Sequence, residues 1–239
     1  MQLIKLSAID STNDYLKQLN ARNDLKSFTV VTAEVQTAGR GQMGAQWLTE
    51  DGKNLITSIL IKDVLTETAQ VFLLNAAVAV AIVTALKNFD IPDLSIKWPN
   101  DILSANKKIG GILIENSFRE DGRIDSVIGI GLNVNQTHFP GLPKASSLRN
   151  VTGMDWDKHA ILESIVAVLK QDAQRNFPAE IWDTYTGLLF RKGLPTAFES
   201  DGRQFMGIVS GVSQDGRLQL LLEDESVALF GIKEITMLY

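Results

Sequence analysis

Residues 71–86 read Val-Phe-Leu-Leu-Asn-Ala-Ala-Val-Ala-Val-Ala-Ile-Val-Thr-Ala-Leu, and no other stretch constrains the fold as strongly. A helix made from this run is apolar nearly all round, so every side of it has to be covered. It falls short of the about 20 residues that a membrane span needs, and Asn75 lies inside it. The expectation is a long helix over residues 66–89, central in a packed core. A chain of 239 residues, 45% hydrophobic and 21% charged, can supply such a core and a small second domain.

The remaining pattern places a sheet against that helix. Ser11 has helix-capping chemistry, with Asp14 three residues on and Tyr15, Leu16 and Leu19 forming a stripe behind it. Residues 28–35 and 54–61 read as strands, as does the short stretch 95–98 that Pro99 stops. Residues 108–115 and 124–133 pair across the turn chemistry of Glu120-Asp121-Gly122. Helices are expected over 157–174 and 178–189. Strands outnumber helices and short turns join them, so the fold class is α+β, a mixed and mostly antiparallel sheet backed by helices. Residues 1–191 form the larger domain. Residues 192–239 are short strands broken by Asp201-Gly202, Asp215-Gly216 and Glu223-Asp224-Glu225, the pattern of a small C-terminal β-barrel.

Composition removes several functions. The net charge of −5 gives no bulk electrostatic grip on nucleic acid. Without cysteine there are no disulfides, no thiol nucleophile and no thiolate metal site. His138 and His159, the only histidines, lack metal-ligand spacing. No apolar core with a cleavage site follows Met1, so no signal peptide is expected and the chain reads as cytoplasmic, with no membrane partner.

Four stretches carry chemistry. Residues 36–46, Gln-Thr-Ala-Gly-Arg-Gly-Gln-Met-Gly-Ala-Gln, set Arg40 among three glycines and no acid. That build suits a loop folding over an anionic ligand. Lys97-Trp98-Pro99-Asn100-Asp101 places a cation and a carboxylate four positions apart across a proline-fixed turn. Lys97 can meet a phosphate, and Asp101 can hold a magnesium ion or orient Lys97. The plain alternative is a surface ion pair at a strand exit. Lys108-Ile109-Gly110-Gly111 leads into a strand with two adjacent glycines, so a chain segment or a flat ligand packs on bare backbone there. Lys108, two residues ahead of Gly110, is expected on the same face as Gly110. Gly129-Ile130-Gly131 lacks the third glycine and following helix of a dinucleotide fingerprint, and with Asn133 and Asn135 it reads as a polar pocket wall. Ser11-Thr12-Asn13 is explained by capping alone, although its hydroxyls and amide can bind a small polar ligand.

Taken in order, Ser11-Thr12-Asn13, Gln36-Thr37-Ala38-Gly39-Arg40-Gly41, the Lys97–Asp101 run, Lys108-Ile109-Gly110-Gly111-Ile112-Leu113-Ile114-Glu115 and Gly129-Ile130-Gly131-Leu132-Asn133-Val134-Asn135 closely resemble the biotin protein ligases. The resemblance covers about residues 5–135. It implies that biotin and ATP, with Mg2+, give biotinyl-5′-AMP, and that biotin then passes to a lysine of a biotin carboxyl carrier protein. It places Ser11, Thr12, Asn13, Gln36, Arg40, Gly41, Gln42, Lys108, Gly110 and Gly111 at biotin. It places Arg40, Trp47, Lys97, Asn100, Asp101 and Asn133 at ATP, with Asp101 as the magnesium ligand. Lys108, Arg40, Lys97 and Asp101 are the implied catalytic set, and Asp101 is a candidate base for the carrier lysine. The family includes monomers and homodimers.

Two departures stand out. Gln42 replaces the second loop arginine of many members, and Met43 and Ala45 replace basic or polar residues. About ten residues precede Ser11, too few for the DNA-binding segment that some relatives carry, so repression of genes is not expected. A lipoate or octanoate ligase or transferase of the same fold, and a non-catalytic biotin sensor, are the competing readings.

Overall fold

The computed structural model describes residues 2–63, 71–119 and 121–239. Residues 66–70 of the expected long helix and Glu120 of the expected turn lie outside the described residues. The chain runs β1 (Gln2–Ile9), α1 (Thr12–Asn23), β2 (Thr29–Gln36), β3 (Leu55–Lys62), α2 (Val71–Lys87), β4 (Leu94–Lys97), β5 (Asp101–Ser104), β6 (Lys107–Phe118) and β7 (Ile124–Leu132). Then come α3 (Leu148–Thr152), α4 (Lys158–Gln174), α5 (Glu180–Gly187) and five strands, β8 (Pro195–Ser200), β9 (Arg203–Val212), β10 (Leu218–Leu221), β11 (Val227–Phe230) and β12 (Thr236–Leu238).

The first seven strands form one sheet in the order β1-β2-β3-β7-β6-β5-β4. Only β1 and β2 pair in parallel, and the other ladders are antiparallel, so the sheet is mixed and mostly antiparallel. Strands β1 and β5 and helix α3 fall where the sequence pattern gave no element. β1 is an edge strand whose partly buried apolar side chains are Leu3, Ile4, Leu6 and Ile9, a spacing that does not alternate strictly enough to stand out.

Helix α2 is covered on both sides. It packs on β4, β5 and β6, and on its other flank against α4 and α5. Eleven of its 17 residues are buried, among them Leu74, Val78, Ile82 and Leu86. Each such side chain contributes roughly 1.5–3 kcal/mol on burial, which offsets the weak helix propensity of its β-branched residues. Among the described residues no helix is long and apolar enough to cross a membrane.

The two faces of the sheet differ in what they carry. On β7, Ile128, Ile130 and Leu132 point into the large core with α2, whereas Val127, Gly129 and Gly131 alternate onto the face that α1 covers. On β6, Gly110 and Ile112 belong to the core face, and Gly111, Leu113 and Glu115 to the other. Helix α1 covers only part of that second face, through Leu16 against Val31, Leu60 and Val127. Ser11 caps the helix, accepting from the Asp14 N–H at 3.3 Å. Beyond this N-terminus the bare glycine backbone is left uncovered by the helix.

The C-terminal strands form a second antiparallel sheet in the order β11-β10-β9-β8-β12. Asp201 and Gly202 both take left-handed φ angles, 50° and 73°, as the hairpin signal requires. Phe198, Phe205 and Phe230 stack across this sheet. Its core is continuous with the larger one, since Val209, Leu218 and Leu220 join the cluster that contains α2. The Gly216 carbonyl accepts a hydrogen bond from Trp98 Nε1 at 2.9 Å, and the bare Cα of Gly216 leaves room for Phe72.

Candidate active site

A cleft of about 310 Å³ opens on the glycine-bearing face of the sheet, at the N-terminus of α1. Its floor is flat because side chains are missing from it. A Cβ on Gly129 would lie 2.6 Å from Asn13 Oδ1, and one on Gly131 would lie 2.6 Å from Trp47 Nε1. The Trp47 indole also lies against Gly111. The chain segment packed on bare strand is thus the loop's own tryptophan. Its Nε1 is buried and has no hydrogen-bond partner.

One end of the cleft is cationic. A bulge sets Lys108 and Ile109 together opposite Leu103, with Gly110 opposite Ile102 and Gly111 opposite Asp101. This extra residue shifts the side-chain alternation by one. It corrects the expected register: Lys108 shares a face with Gly111, 3.5 Å from the Cβ position there, and Gly110 faces the core against Leu132 and Ile102. The Lys108 backbone is stitched to the 144–146 segment, through its N–H to the Lys144 carbonyl (2.7 Å) and its carbonyl from the Ser146 N–H (2.9 Å). Lys108 Nζ lies 2.6 Å from Asp101 Oδ1, and Lys97 Nζ 3.8 Å from Asp101 Oδ2. Lys97 and Lys144 both stand over the Tyr239 ring, at 5.5 and 4.0 Å. Burial pushes the Lys97 ammonium below the ordinary lysine range; Asp101 opposes this, and Lys108 and Lys144 add to it.

The opposite wall is the glycine loop. Gly41 N–H bonds the Ala45 carbonyl (2.7 Å), Trp47 N–H bonds the Gly39 carbonyl (3.0 Å), and Arg40 bridges to Gln46. Met43 sits at the tip with φ 57° and is exposed. Arg40 Nη2 lies 2.7 Å from Asp14 Oδ1 and 3.3 Å from Glu115 Oε2, and Lys17 bonds the same two acids at 2.8 Å each. The Asp14 carboxyl lies below its usual range: burial pushes it up, and the Lys17 and Arg40 contacts outweigh that.

Between these ends the α1 N-terminus supplies a polar cluster. Thr12 N–H donates to Gln36 Oε1 at 3.0 Å. The buried Ser58 hydroxyl lies 2.8 Å from Thr12 Oγ1 and 2.6 Å from Asn13 Oδ1. Asn13 Nδ2 donates to Glu115 Oε2 (2.7 Å) and to the Leu113 carbonyl (3.3 Å).

Of the expected site residues, Ser11, Thr12, Asn13, Gln36, Arg40, Gly41, Gln42, Trp47, Lys97, Asn100, Asp101, Lys108 and Gly111 line the cleft. Gly110 and Asn133 do not. The Asn133 side chain donates to the Ser146 carbonyl (2.9 Å), and Asn135 to the Trp156 carbonyl, so these asparagines fasten a loop while Gly129 and Gly131 form the pocket wall. Asn100 reaches the cleft yet spends its amide on the Ile112 carbonyl at 2.6 Å. Ser58, Lys144, Ile232, Lys233 and Tyr239 were not singled out from sequence, and Glu115 closes the Lys108–Glu115 stretch without a role of its own there. Ser58 reads as half of a Thr-Ser pair inside an apolar strand. Lys144, Ile232, Lys233 and Tyr239, distant in sequence, meet the site only through the fold.

The donor set does not fit a protein-built magnesium cage. Among the described residues no three acid or histidine side chains cluster, and both Asp101 oxygens face lysine ammoniums.

Residues 6–135 match the model of the biotin/lipoate A/B protein ligase family. The chain is similar to the bifunctional ligase/repressor BirA of Bacillus spizizenii, 33% identical over 98% of this chain and 71% of the relative. It is 29% identical to a biotin–[acetyl-CoA-carboxylase] ligase of Paracoccus denitrificans, over 90% of this chain and 92% of that one. Its structure is similar to that of a biotin protein ligase from Aquifex aeolicus in complex with biotin and ATP, with TM-score 0.78, 27% identity and coverage of 99% and 98%.

Proposed function

The chain belongs to the biotin/lipoate A/B protein ligase family, and within that family we propose that it is an ATP-dependent biotin protein ligase. One observation carries this reading: a single cleft joins a hydrogen-bonding floor at Thr12, Asn13 and Gln36 to two lysines, Lys97 and Lys108, that share one aspartate, Asp101. A bicyclic urea with a carboxylate tail fits the first part, and a triphosphate the second. Lipoate, whose dithiolane ring has no N–H or C=O group, leaves the floor's polar atoms unmatched.

In the first step a carboxylate oxygen of biotin attacks the α-phosphorus of ATP. The bond from that phosphorus to the pyrophosphate oxygen breaks, and pyrophosphate leaves with the electron pair. Both reactants are anions. Lys97 and Lys108, fixed before substrate arrives, relieve their repulsion and stabilise the charge that develops. Asp101 holds Lys108 in place as an ion-pair partner, a positioning role in preference to that of a base. Magnesium arrives with the triphosphate as part of the substrate.

In the second step a lysine amine of a carrier domain attacks the acyl carbon. The bond to the phosphate oxygen breaks, AMP leaves, and the amine loses its proton as the amide forms. The adenylate is a mixed anhydride, and the 36–47 loop shields it from water. Trp47, which has no partner for its indole N–H, is the group that moves to make room. The carrier is the biotin domain of a biotin-dependent carboxylase, as the name of the Paracoccus relative implies for that protein.

Exchange of labelled pyrophosphate into ATP tests the reading. It should require biotin and should not occur with lipoate. Exchange with lipoate alone would assign the chain to the other branch, and none with either would end the ligase reading.

A further inference from the structure

We infer that Glu115 and Ser58 are positioning residues: through Asn13 they hold the Thr12 hydroxyl oxygen as an acceptor towards the cleft, so the ligand ring must offer an N–H there. The inference rests on the biotin reading and deepens it.

The argument is a count of protons. Asn13 Nδ2 faces two oxygens, the Glu115 carboxylate at 2.7 Å and the Leu113 carbonyl at 3.3 Å. Both only accept. The amide therefore cannot be turned round without setting its oxygen against two acceptors, and its Oδ1 is fixed towards Ser58. Ser58 is fully buried, and its hydroxyl has one proton and two neighbours. Asn13 Oδ1, at 2.6 Å, can only accept, so the proton goes there. The remaining neighbour, Thr12 Oγ1 at 2.8 Å, then has to donate to Ser58. The rival acceptor for Thr12 is Gln36 Oε1, which is farther at 3.2 Å and already receives the Thr12 N–H. Once its proton is committed to Ser58, Thr12 Oγ1 offers the cleft lone pairs alone. One chain of directed bonds thus runs from a carboxylate at the cleft rim to a hydroxyl at its floor.

The same carboxylate also holds Lys17 and Arg40, so the relay has to be separated from the loop contact. Asp14 provides the separation, because it holds Lys17 and Arg40 but does not touch Asn13. Titration calorimetry on the intact chain would use biotin and biotin methylated on its ring nitrogens. Ser58→Ala should weaken biotin about tenfold, the loss of one directed hydrogen bond. It should change the methylated analogue by less than about twofold, since that ligand has no N–H to lose. Glu115→Gln should weaken biotin several-fold in the same selective way, and Asp14→Asn should leave both ligands within about twofold.

Equal losses on both ligands, or no loss of biotin affinity, would overturn the relay. So would an Asp14→Asn effect equal to that of Glu115→Gln. If Ser58→Ala does not fold, the Glu115→Gln and Asp14→Asn pair decides alone. Wild-type protein that takes up no biotin would overturn the biotin reading itself, a failure distinct from an unselective variant.

Discussion

The two charged ends of the cleft are built on opposite terms. At the loop end, Lys17 and Arg40 meet Asp14 and Glu115, two cations against two anions, all partly exposed. At the strand end, Lys97 and Lys108 share a single aspartate while Lys144 stands over the adjoining Tyr239 ring as a further like charge, and Lys97 is buried enough for its ammonium to be weakened. A balanced, wet cluster contributes little stability and opens readily. An unbalanced, drier one costs stability in the free protein and is repaired by an incoming polyanion. The first end suits a latch on a mobile loop, and the second a binding site for a triphosphate.

The largest effect should come from Lys108→Ala. This side chain stands between Asp101, the Gly111 backbone and the Trp47 ring, where the proposed reaction would bring both substrates together. Removing a preorganised cation from such a position costs roughly 10²–10³-fold in rate. Biotin-dependent pyrophosphate exchange should fall by that factor, while thermal unfolding stays close to wild type. A loss below tenfold would mean that the strand end only binds, and that its excess charge does not act on the chemistry.

Lys97→Met should act next, with opposite signs on function and stability. The KM for ATP should rise by about tenfold, the effect of one charged contact. Stability at neutral pH should hold or increase, because a partly buried ammonium is removed along with the contact. The pH dependence follows from the lowered Lys97 value. Between its folded value and the ordinary lysine value near 10.5, the unfolded chain binds more protons, so stability rises with pH in that window. Over the same window the charge on Lys97 is lost and ATP binding should weaken. Lys97→Met should flatten both trends. An ATP profile that stays steep in the variant would assign the titration to another group.

How legible these ends were in the sequence depends on what set them. The central helix and the strands through 30–35, 55–61 and 124–132 were readable, because burial on one or both sides imposes a periodicity that local composition records. Gln36, Arg40, Lys97, Asp101 and Lys108 were readable from unusual residue types at short spacing. The face of Lys108 was not. It depends on a bulge, and a bulge is a relation between β5 and β6 that neither strand carries alone. The position of Asn133 off the cleft was not legible for a similar reason: its amide donates to the Ser146 carbonyl, thirteen residues on, in a loop without periodicity. Tyr239 enters the site only because the second sheet docks through Trp98 and Gly216, and Lys144 because its carbonyl accepts from the Lys108 N–H.

Arg40→Ala should give the smallest effect and the sharpest comparison. In the free protein it removes an exposed contact from a balanced cluster, so stability should change by about 0.5 kcal/mol or less. With biotin and ATP present, the loop loses the one cation that can leave Asp14 and Glu115 for the adenylate, and Gln42 offers no charge in its place. Adenylate formed on the enzyme should then escape faster, by about tenfold, which a chase of preformed labelled adenylate with excess unlabelled biotin would measure. Pyrophosphate exchange should suffer far less than in Lys108→Ala, because the developing charge is met at the strand end. If Arg40→Ala lowered exchange as far as Lys108→Ala does, the arginine would be acting on the chemistry as well. The contrast between a neutral latch and a cationic binding end would then be a property of the free protein alone.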